Sequence, residues 1–469
     1  MADGWGDGWG LAWGGAGVDV PTIIAGVGGS PNLAIDVQPD VSEGSFTLDV
    51  SELDGPDLLA WGVEGWVNVV CNVTRVRIVR GATRVQGPLT RAEAALITVE
   101  ILDRERAFDP LVNADAVHAG TPARVRVWGG TDPAAPDWSA ILVTGEIEDV
   151  PVDYASGAVP LVTINGSDII AELVAWSSEG RPEPGVGAGD TLRQRVSRVL
   201  TEAAIPTSRI SADSDTGYAV TLAPSTLAGG WADIEVAQLA ELGRVWADAQ
   251  NRLVVRGRGS QLSGPVRGTL SDWHGETVDE FEPHLCYADL GAMLGTEQLI
   301  NRTIGARHPV GDDDEPSVIQ RDDTYSQARY RTRVGNGEQR DLMVETDVQV
   351  TDWCESLLLT SSRPQLRVDS VTPAPWAAPE AWQAVMQTDI GDRWVLRYHP
   401  AVGPTVRRTV GVLGIEHEIT PEGWSIVWRL APALTPGESP DGWFSLDVSM
   451  LDSGDVLAPF RGKVAALTP

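Results

Sequence analysis

Histidine is the residue best suited to acid–base and metal chemistry near neutral pH, and this sequence has six of them. They occur singly, without the spacing of a metal-ligand pair. His417 lies between Glu416 and Glu418 on a predicted strand, where alternation turns it to the face opposite both carboxylates. We therefore interpret the histidines as structural or solvated: His118, His274, His284, His308, His399 and His417.

Carboxylates are the second group that could do chemistry, since Asp and Glu together number 66. The run 312–315 ends at Pro316, and Asp213 and Asp215 precede Gly217, so either segment could bind a hard cation. Neither has the glycine and distal glutamate of a calcium loop, which favours solvated acidic turns. Two carboxylates could also hydrolyse a polysaccharide, but nothing in the sequence singles out a pair.

The three cysteines, Cys71, Cys286 and Cys354, are far apart and have no CxxC motif or paired histidine. This argues against a zinc site or a disulfide framework, although one pair could meet in the fold. Cys354 shares a predicted helical face with Val350 and Leu357, which is typical of a core thiol rather than a reactive one.

Local catalytic signatures are missing from the sequence: it has no GxSxG, HExxH or P-loop motif, and no GxGxxG followed by a suitable helix. We therefore predict a non-enzymatic protein with no catalytic, cofactor-binding or metal-binding residues and no cofactor. The 18 tryptophans could instead form a sugar-stacking surface. Several of them, such as Trp424 and Trp428, fit buried positions of a strand, which favours core packing.

The charge balance excludes some partners. Lys and Arg number 35 against 66 acids, so the formal net charge is -31. Such a chain lacks the clustered cations that duplex DNA or anionic lipid requires, and its apolar runs are too short to span a membrane. With 469 residues, 42% hydrophobic and 22% charged, it is long enough for about three folded domains.

Period-two alternation predicts short antiparallel strands over much of the chain, at 75–80, 97–101, 124–128 and 424–430. Their arginines should line a solvated or a subunit-facing side, and the solvated one is the simpler interpretation.

Helical periodicity is local. It predicts one helix from Leu192 after a possible Asp190 cap and a second from Asp233 to Leu242. A hairpin follows, in which 244–246 and 252–255 flank a turn at 248–251. Residues 176–262 are thus predicted to form an α/β unit inserted in a β chain.

A repeat links the two ends of the chain, since residues 46–54 match residues 444–452. Both copies alternate apolar and polar residues like a strand, and they could attach to two equivalent sites or pair with each other. The N-terminal Gly/Trp tract could be a flexible arm or could dock on a neighbouring subunit. The interface candidates are Trp5, Trp9, Trp13, Phe46, Leu48, Val50, Leu53, Phe444, Leu446, Val448 and Leu451.

A fainter repeat concerns the β segments between the ends. Gly120 precedes the strand 125–128 and a Val-Thr-Gly strand at 143–148, and Gly391 precedes 394–398 and a similar strand at 412–417. The same order of elements occurs twice, which predicts two related β domains.

Diffuse motifs lie at 73–81, 95–110 with Phe108-Asp109-Pro110, 143–147, 191–206, 237–256, 299–302, Asp322, Ser326, Tyr330, 389–392, and 414–420 with Trp424. Together these segments resemble the tail hub or tail-associated minor tail proteins of long-tailed phages that infect actinobacteria, which are similar to the baseplate hub family of contractile tails. The resemblance covers about residues 67–435, with diffuse motifs. A glycine expected just after Tyr330 is replaced by Arg331.

The resemblance implies a mainly β fold with a smaller α/β insertion, two related tube-like antiparallel β-barrel domains and peripheral arms. It implies a homotrimeric ring at the distal end of a tail, with an acidic channel for DNA passage. Implied partners are the distal tail protein, the tape measure protein and other tail-tip or fibre proteins, with no sequence-specific nucleic-acid binding and no membrane insertion. A carbohydrate-binding tail-tip component and a polysaccharide depolymerase stay open as alternatives.

Seven segments follow from these predictions. They are a Gly/Trp-rich arm (1–37), a strand module (38–62), a first tube-like β domain (63–175), the α/β insertion (176–262), a connecting region (263–365), a second tube-like β domain (366–437) and a C-terminal strand module (438–469).

Overall fold

A computed structural model of the chain describes most of the region between the two terminal segments. The residues it describes are 31–38, 66–68, 72–85, 89–104, 106, 108–109, 111, 119–130, 136–154, 159–177, 186–215, 218–225, 229–260, 264–272, 283–294, 296–309, 314–362, 366–377, 379–399 and 405–433.

The first β body is a sheet built from eight strands. They are β1 (Asn32–Val37), β2 (Val67–Asn68), β3 (Asn72–Gly81), β4 (Glu93–Leu102), β5 (Pro122–Gly129), β6 (Trp138–Asp149), β7 (Val152–Asp153) and β8 (Leu161–Ser167). Their order across the sheet is β2-β1-β5-β6-β8-β4-β3, with β7 beside β8. Alternate residues of β4 are buried, as period-two sequence requires for a sheet with one face on the core.

Helix α1 (Ile169–Ala175) ends the segment 63–175. In its described residues the insertion contains two α-helices and a hairpin: α2 (Leu192–Glu202), α3 (Gly230–Glu241), β9 (Arg244–Ala247) and β10 (Leu253–Arg256). The predicted hairpin is present, with β9 and β10 antiparallel. The cap of α2 is Thr191, not Asp190, because Thr191 and Gln194 form a reciprocal capping box. Asp190 instead pairs with Arg195 at 3.3 Å.

The remaining elements follow the insertion. They are β11 (Val266–Ser271), β12 (His284–Leu294), β13 (Arg302–Arg307), β14 (Ile319–Asp322), α4 (Thr324–Tyr330), β15 (Glu338–Leu342), α5 (Asp347–Ser361), β16 (Leu366–Pro373), α6 (Pro379–Met386), β17 (Arg393–Tyr398), β18 (Val406–Thr420) and β19 (Gly423–Pro432).

Six of these strands close into the second β body, a barrel. Their order is β17-β11-β12-β16-β19-β18, and β18 returns to pair with β17. Strand β11 runs parallel to both of its neighbours, while the other pairs are antiparallel. Strands β13 to β15 form a separate small sheet packed against α5. The predicted fold class, mainly β with a smaller α/β insertion, is confirmed.

The two bodies are not separate sheets, because β3 of the first body pairs antiparallel with β18 of the barrel. Backbone hydrogen bonding is therefore continuous across a 14-stranded sheet. One apolar cluster spans both bodies, and a second joins the insertion to the small sheet and α5. Cys354 is fully buried in that second cluster, as its helical spacing predicts.

The hairpins β5–β6 and β17–β18 begin in the same way. Gly120 and Gly391 both have positive φ, 89° and 93°. Their N–H groups donate to Ile147 O and Val412 O, both at 2.8 Å, and each acceptor residue returns a bond to the residue after the glycine. This shared arrangement is the structural counterpart of the fainter repeat. Within the described ranges, no helix is long and apolar enough to cross a membrane.

Candidate assembly site

The seam between the two bodies presents a charged outer face. Alternation on β3 turns Arg75 and Arg77 outward, and alternation on β18 does the same for Glu416 and Glu418. Antiparallel register sets Glu418 beside Arg77 and Glu416 beside Val79, so the two charge types meet across the seam. We name these four residues with Glu100 and Arg429 the polar face.

Ion pairs cross the seam diagonally. Arg75 Nη2 lies 2.8 Å from Glu418 Oε1, and Arg77 Nη2 lies 3.1 Å from Glu416 Oε1. On either side, Arg75 reaches Glu100 at 3.4 Å and Arg429 reaches Glu416 at 3.9 Å. Each arginine of the polar face is thus neutralised by a glutamate. Since the side chains are partly exposed, each pair stabilises by only about 0.2–1 kcal/mol.

A buried arginine lies on the opposite side of the same strand. Arg80 is 4% exposed and donates to Leu142 O of β6 at 3.0 Å, to Ala247 O of β9 at 3.2 Å and to Asp389 Oδ1 at 2.8 Å. Asp389 Oδ2 also accepts from Ala249 N at 3.1 Å. One guanidinium therefore ties the first body, the insertion and the barrel together. The expectation that the strand arginines face solvent is wrong for Arg80, because its position in the alternation is that of Val76 and Ile78.

His417 lies beneath the seam, between the outward-facing glutamates as alternation predicts. It is 4% exposed, and its Nδ1 accepts a hydrogen bond from Trp424 Nε1 at 3.3 Å. Burial, with a smaller contribution from the charge of Arg80, lowers the pKa of His417 to about 3. The imidazole is therefore neutral in the folded chain and acts as a hydrogen-bond acceptor in the core.

His417→Asn should reduce the loss of folding stability that accompanies acidification. The unfolded chain takes up a proton at the histidine near its ordinary pKa of 6.5, whereas the folded chain does so only near 3. Stability contributed by the neutral histidine is thus present above pH 6.5 and is lost on acidification, by about 1.4 kcal/mol per pH unit. Denaturant titrations at several pH values between these limits measure the free energy of unfolding of wild type and variant. The difference between the two should change with pH by that slope. Parallel profiles would contradict the assignment.

A polar cleft of about 390 Å³ lies between the insertion hairpin and the barrel. Two of its carboxylates form ion pairs: Asp248 pairs with Arg252 at 2.8 Å, and Asp392 pairs with Arg267 at 2.9 Å. Burial raises the pKa of Asp392 to about 6, against the opposing effect of Arg267. The first pair lies within the insertion hairpin and the second within the barrel, whereas the hydrogen bond from Ala249 N to Asp389 joins the two sides.

The remaining candidates from the sequence are dispersed. Asp215 binds Arg256 at 3.1 Å and Gly257 N, and Asp314 pairs with Arg307, so neither carboxylate is a free cation ligand. His399 pairs with Asp272 at 2.6 Å. In the part of the chain that the structure describes, no group of three or more His, Cys, Asp or Glu side chains could hold a metal.

Tryptophan serves mainly as core. Trp128, Trp353, Trp394 and Trp428 are fully buried, and Trp376 is the exposed one within the described residues, at 46%. The eleven interface candidates at the termini lie outside the described residues: Trp5, Trp9, Trp13, Phe46, Leu48, Val50, Leu53, Phe444, Leu446, Val448 and Leu451. Asp312 and Asp313 lie outside them as well.

Two important residues were missed or undervalued by sequence reasoning. Arg80 lies on the same face of its strand as the buried Val76 and Ile78, so its burial could have been predicted from the sequence. Its hydrogen-bond partners could not, because they are distant in sequence. Arg331 has φ 62° and ψ 171°, a conformation that is essentially reserved for glycine. This explains why glycine is expected at that position and makes the arginine there unusual.

Comparison with known proteins finds a similar fold among solved structures. No family model matches the chain, and no curated protein matches its sequence. The tail protein from Neisseria meningitidis MC58 matches in structure with a TM-score of 0.50 at 12% identity, over 86% of this chain and 96% of its own. The 43 kDa tail protein of prophage MuSo2 from Shewanella oneidensis has a TM-score of 0.49 at 11% identity, over 86% and 98%. The first of these similarities shows that this chain shares the fold of a tail protein.

Proposed function

We propose that this protein is a structural component of a phage virion, the trimeric hub at the distal end of a long tail. Three copies form a ring in which the two β bodies of each chain continue a sixfold tube. The ring closes or extends the tail tube and anchors the distal tail, tape measure and tail-tip or fibre proteins, after synthesis in the cytoplasm of the host bacterium. The shared fold with a tail protein supports this proposal.

The observation that carries the proposal is the sheet that runs without interruption from the first body into the barrel. A tube wall needs such a sheet, with one face on an apolar core and the other facing water. Val76 and Ile78 lie on the core side, and the polar face lies on the other. We take the polar face as the wall of the channel.

The charges of this face suit DNA passage. Phosphates bind proteins through lysine and arginine, and each arginine of the polar face is already paired with a glutamate. The net charge of -31 per chain adds a repulsive field around the ring. DNA would therefore pass such a wall without adhering to it, and no catalytic group is needed for this role.

The purified protein should have a mass of about 150 kDa in solution, three times the 50.1 kDa chain. Light scattering of the eluted peak measures the mass, and negative-stain imaging of the same peak should show a ring with a central channel. A monomer with no ring on isolated tail tips would contradict the hub.

The two alternative functions, carbohydrate binding and polysaccharide cleavage, predict different results with the same purified protein. A carbohydrate-binding component should bind cell-wall glycans on an array as the isolated protein. A depolymerase should release reducing ends and lose this activity on a single Asp or Glu substitution. The burial of most described tryptophans gives the first alternative little stacking surface.

A further inference from the structure

We infer that a loop of exposed arginines on the small sheet docks onto carboxylates of a second copy of this chain. The arginine loop comprises residues 329–333, which end α4 and follow it. Arg329, Arg331 and Arg333 are all exposed. This inference rests on the proposed trimer and names one surface that closes it.

The loop is held rigidly from below. Asn301 is fully buried, its Nδ2 donates to Arg331 O at 2.8 Å, and its Oδ1 accepts from Arg333 N at 2.7 Å. Arg333 O in turn accepts from Asn301 N at 2.9 Å and from Arg302 N at 3.1 Å. The backbone of the loop is therefore fixed before any partner binds, which lowers the entropy cost of docking.

Arg331 occupies this loop at a cost in stability. Its φ of 62° and ψ of 171° fall in a region that is essentially glycine-only, so a side chain there is strained. Within the described residues the side chain forms no hydrogen bond and no ion pair that would offset the strain. Strain that persists at an exposed residue points to a role outside the folded monomer.

The three guanidinium groups are close together in sequence and, among the described residues, lack carboxylate partners. Within the described part of the chain, no carboxylate forms an ion pair with any of them, whereas each arginine of the polar face is paired. The guanidinium of Arg329 lies 5.4 Å from the ring of Tyr330, and Tyr325 nearby in sequence is 53% exposed. Arginine and tyrosine are the side chains that most often dominate protein interfaces.

Charge complementarity favours a second copy as the partner. Acids exceed bases in each copy by 31, so a neighbouring surface is rich in carboxylates, to which arginine binds in a bidentate geometry. Copies with the same large negative charge repel one another, and closing a ring therefore requires local cations at the contact. Duplex DNA is a poorer partner, because three cations neutralise few phosphates and the field of the whole chain opposes its approach.

The test compares the full-length wild type with a triple variant, Arg329→Gln, Arg331→Gly and Arg333→Gln. Sedimentation over a range of protein and salt concentrations measures self-association. We expect the variant to associate about tenfold or more weakly, with a smaller salt dependence. Arg331→Gly alone should weaken association while raising the melting temperature, because glycine relieves the strain. An arginine with only a structural role would not weaken association and raise the melting temperature together when it is replaced by glycine.

Arg104→Gln is the matched control, since Arg104 is an exposed arginine on the first body. Equal weakening by this control would overturn the inference in favour of a general charge effect. A wild type that assembles and a triple variant that assembles equally well would overturn the arginine loop but leave the hub standing. A wild type that stays monomeric would overturn the arginine loop as a self-association surface, and it would overturn the hub as well if isolated tail tips show no ring. Binding of a short labelled duplex DNA that the triple variant loses would reassign the loop to phosphate.

Discussion

Arg80→Met should lower the free energy of unfolding by about 3–5 kcal/mol, the range seen when one partner of a buried ion pair is removed. Methionine replaces the aliphatic part of the side chain but removes the N–H groups that donate to Leu142 O and Ala247 O. It also leaves Asp389 without its cation. Because these three acceptors belong to different parts of the chain, the single thermal transition should broaden or split in calorimetry.

Arg77→Met provides the control on the same strand. Arg77 is 42% exposed and pairs with Glu416 at 3.1 Å, so its loss should cost no more than about 1 kcal/mol. Similar losses for the two variants, measured by denaturant titration, would show that Arg80 does not join the three parts.

Gly414→Ala should destabilise the protein by about 3 kcal/mol, because it forces a side chain into the seam. A Cβ at Gly414 would lie 2.3 Å from Ala82 O, a backbone atom that cannot turn aside. Gly414 is also the register partner of Gly81, so neither strand carries a side chain at this step of the seam. Thermal unfolding followed by circular dichroism measures the loss.

Gly423→Ala is the matched control for the seam. Gly423 lies at the start of β19, and a Cβ built on it meets nothing within 4 Å. The control should unfold within about 1 kcal/mol of wild type. Equal effects at the two glycines would mean that Gly414 suffers only from the general intolerance of strands to substitution.

Local periodicity was sufficient to predict several of the strands, the insertion hairpin and the buried side of β18. His417 and Cys354 were placed correctly, since alternation and helical spacing depend only on neighbours in sequence. The pairing of β3 with β18 could not be predicted in this way. Each of these strands would present a similar apolar pattern to the edge of any other strand. Which strand it pairs with depends on how the barrel closes.

The candidate site was less accessible to prediction for the same reason. Glutamates and arginines of the polar face were visible as alternating charges, but their pairing needs two strands more than 300 residues apart. The strain at Arg331 is a property of the backbone. The only sequence signal for it was a missing glycine, whose physical reason is the φ of that residue.

The β3–β18 pairing also constrains how the chain is made. Partners in the seam are separated by 339 and 343 residues, so at ordinary rates of translation β3 leaves the ribosome roughly 20–70 s before β18 exists. During that interval the first body has an open edge that could pair with the same edge of another nascent chain. Arg75 and Arg77 lie along it, and until Glu416 and Glu418 are synthesised Arg77 lacks its partner and Arg75 has only Glu100, so the excess positive charge repels an identical strand. The arginines that later close the seam thus protect the strand before its partner is synthesised.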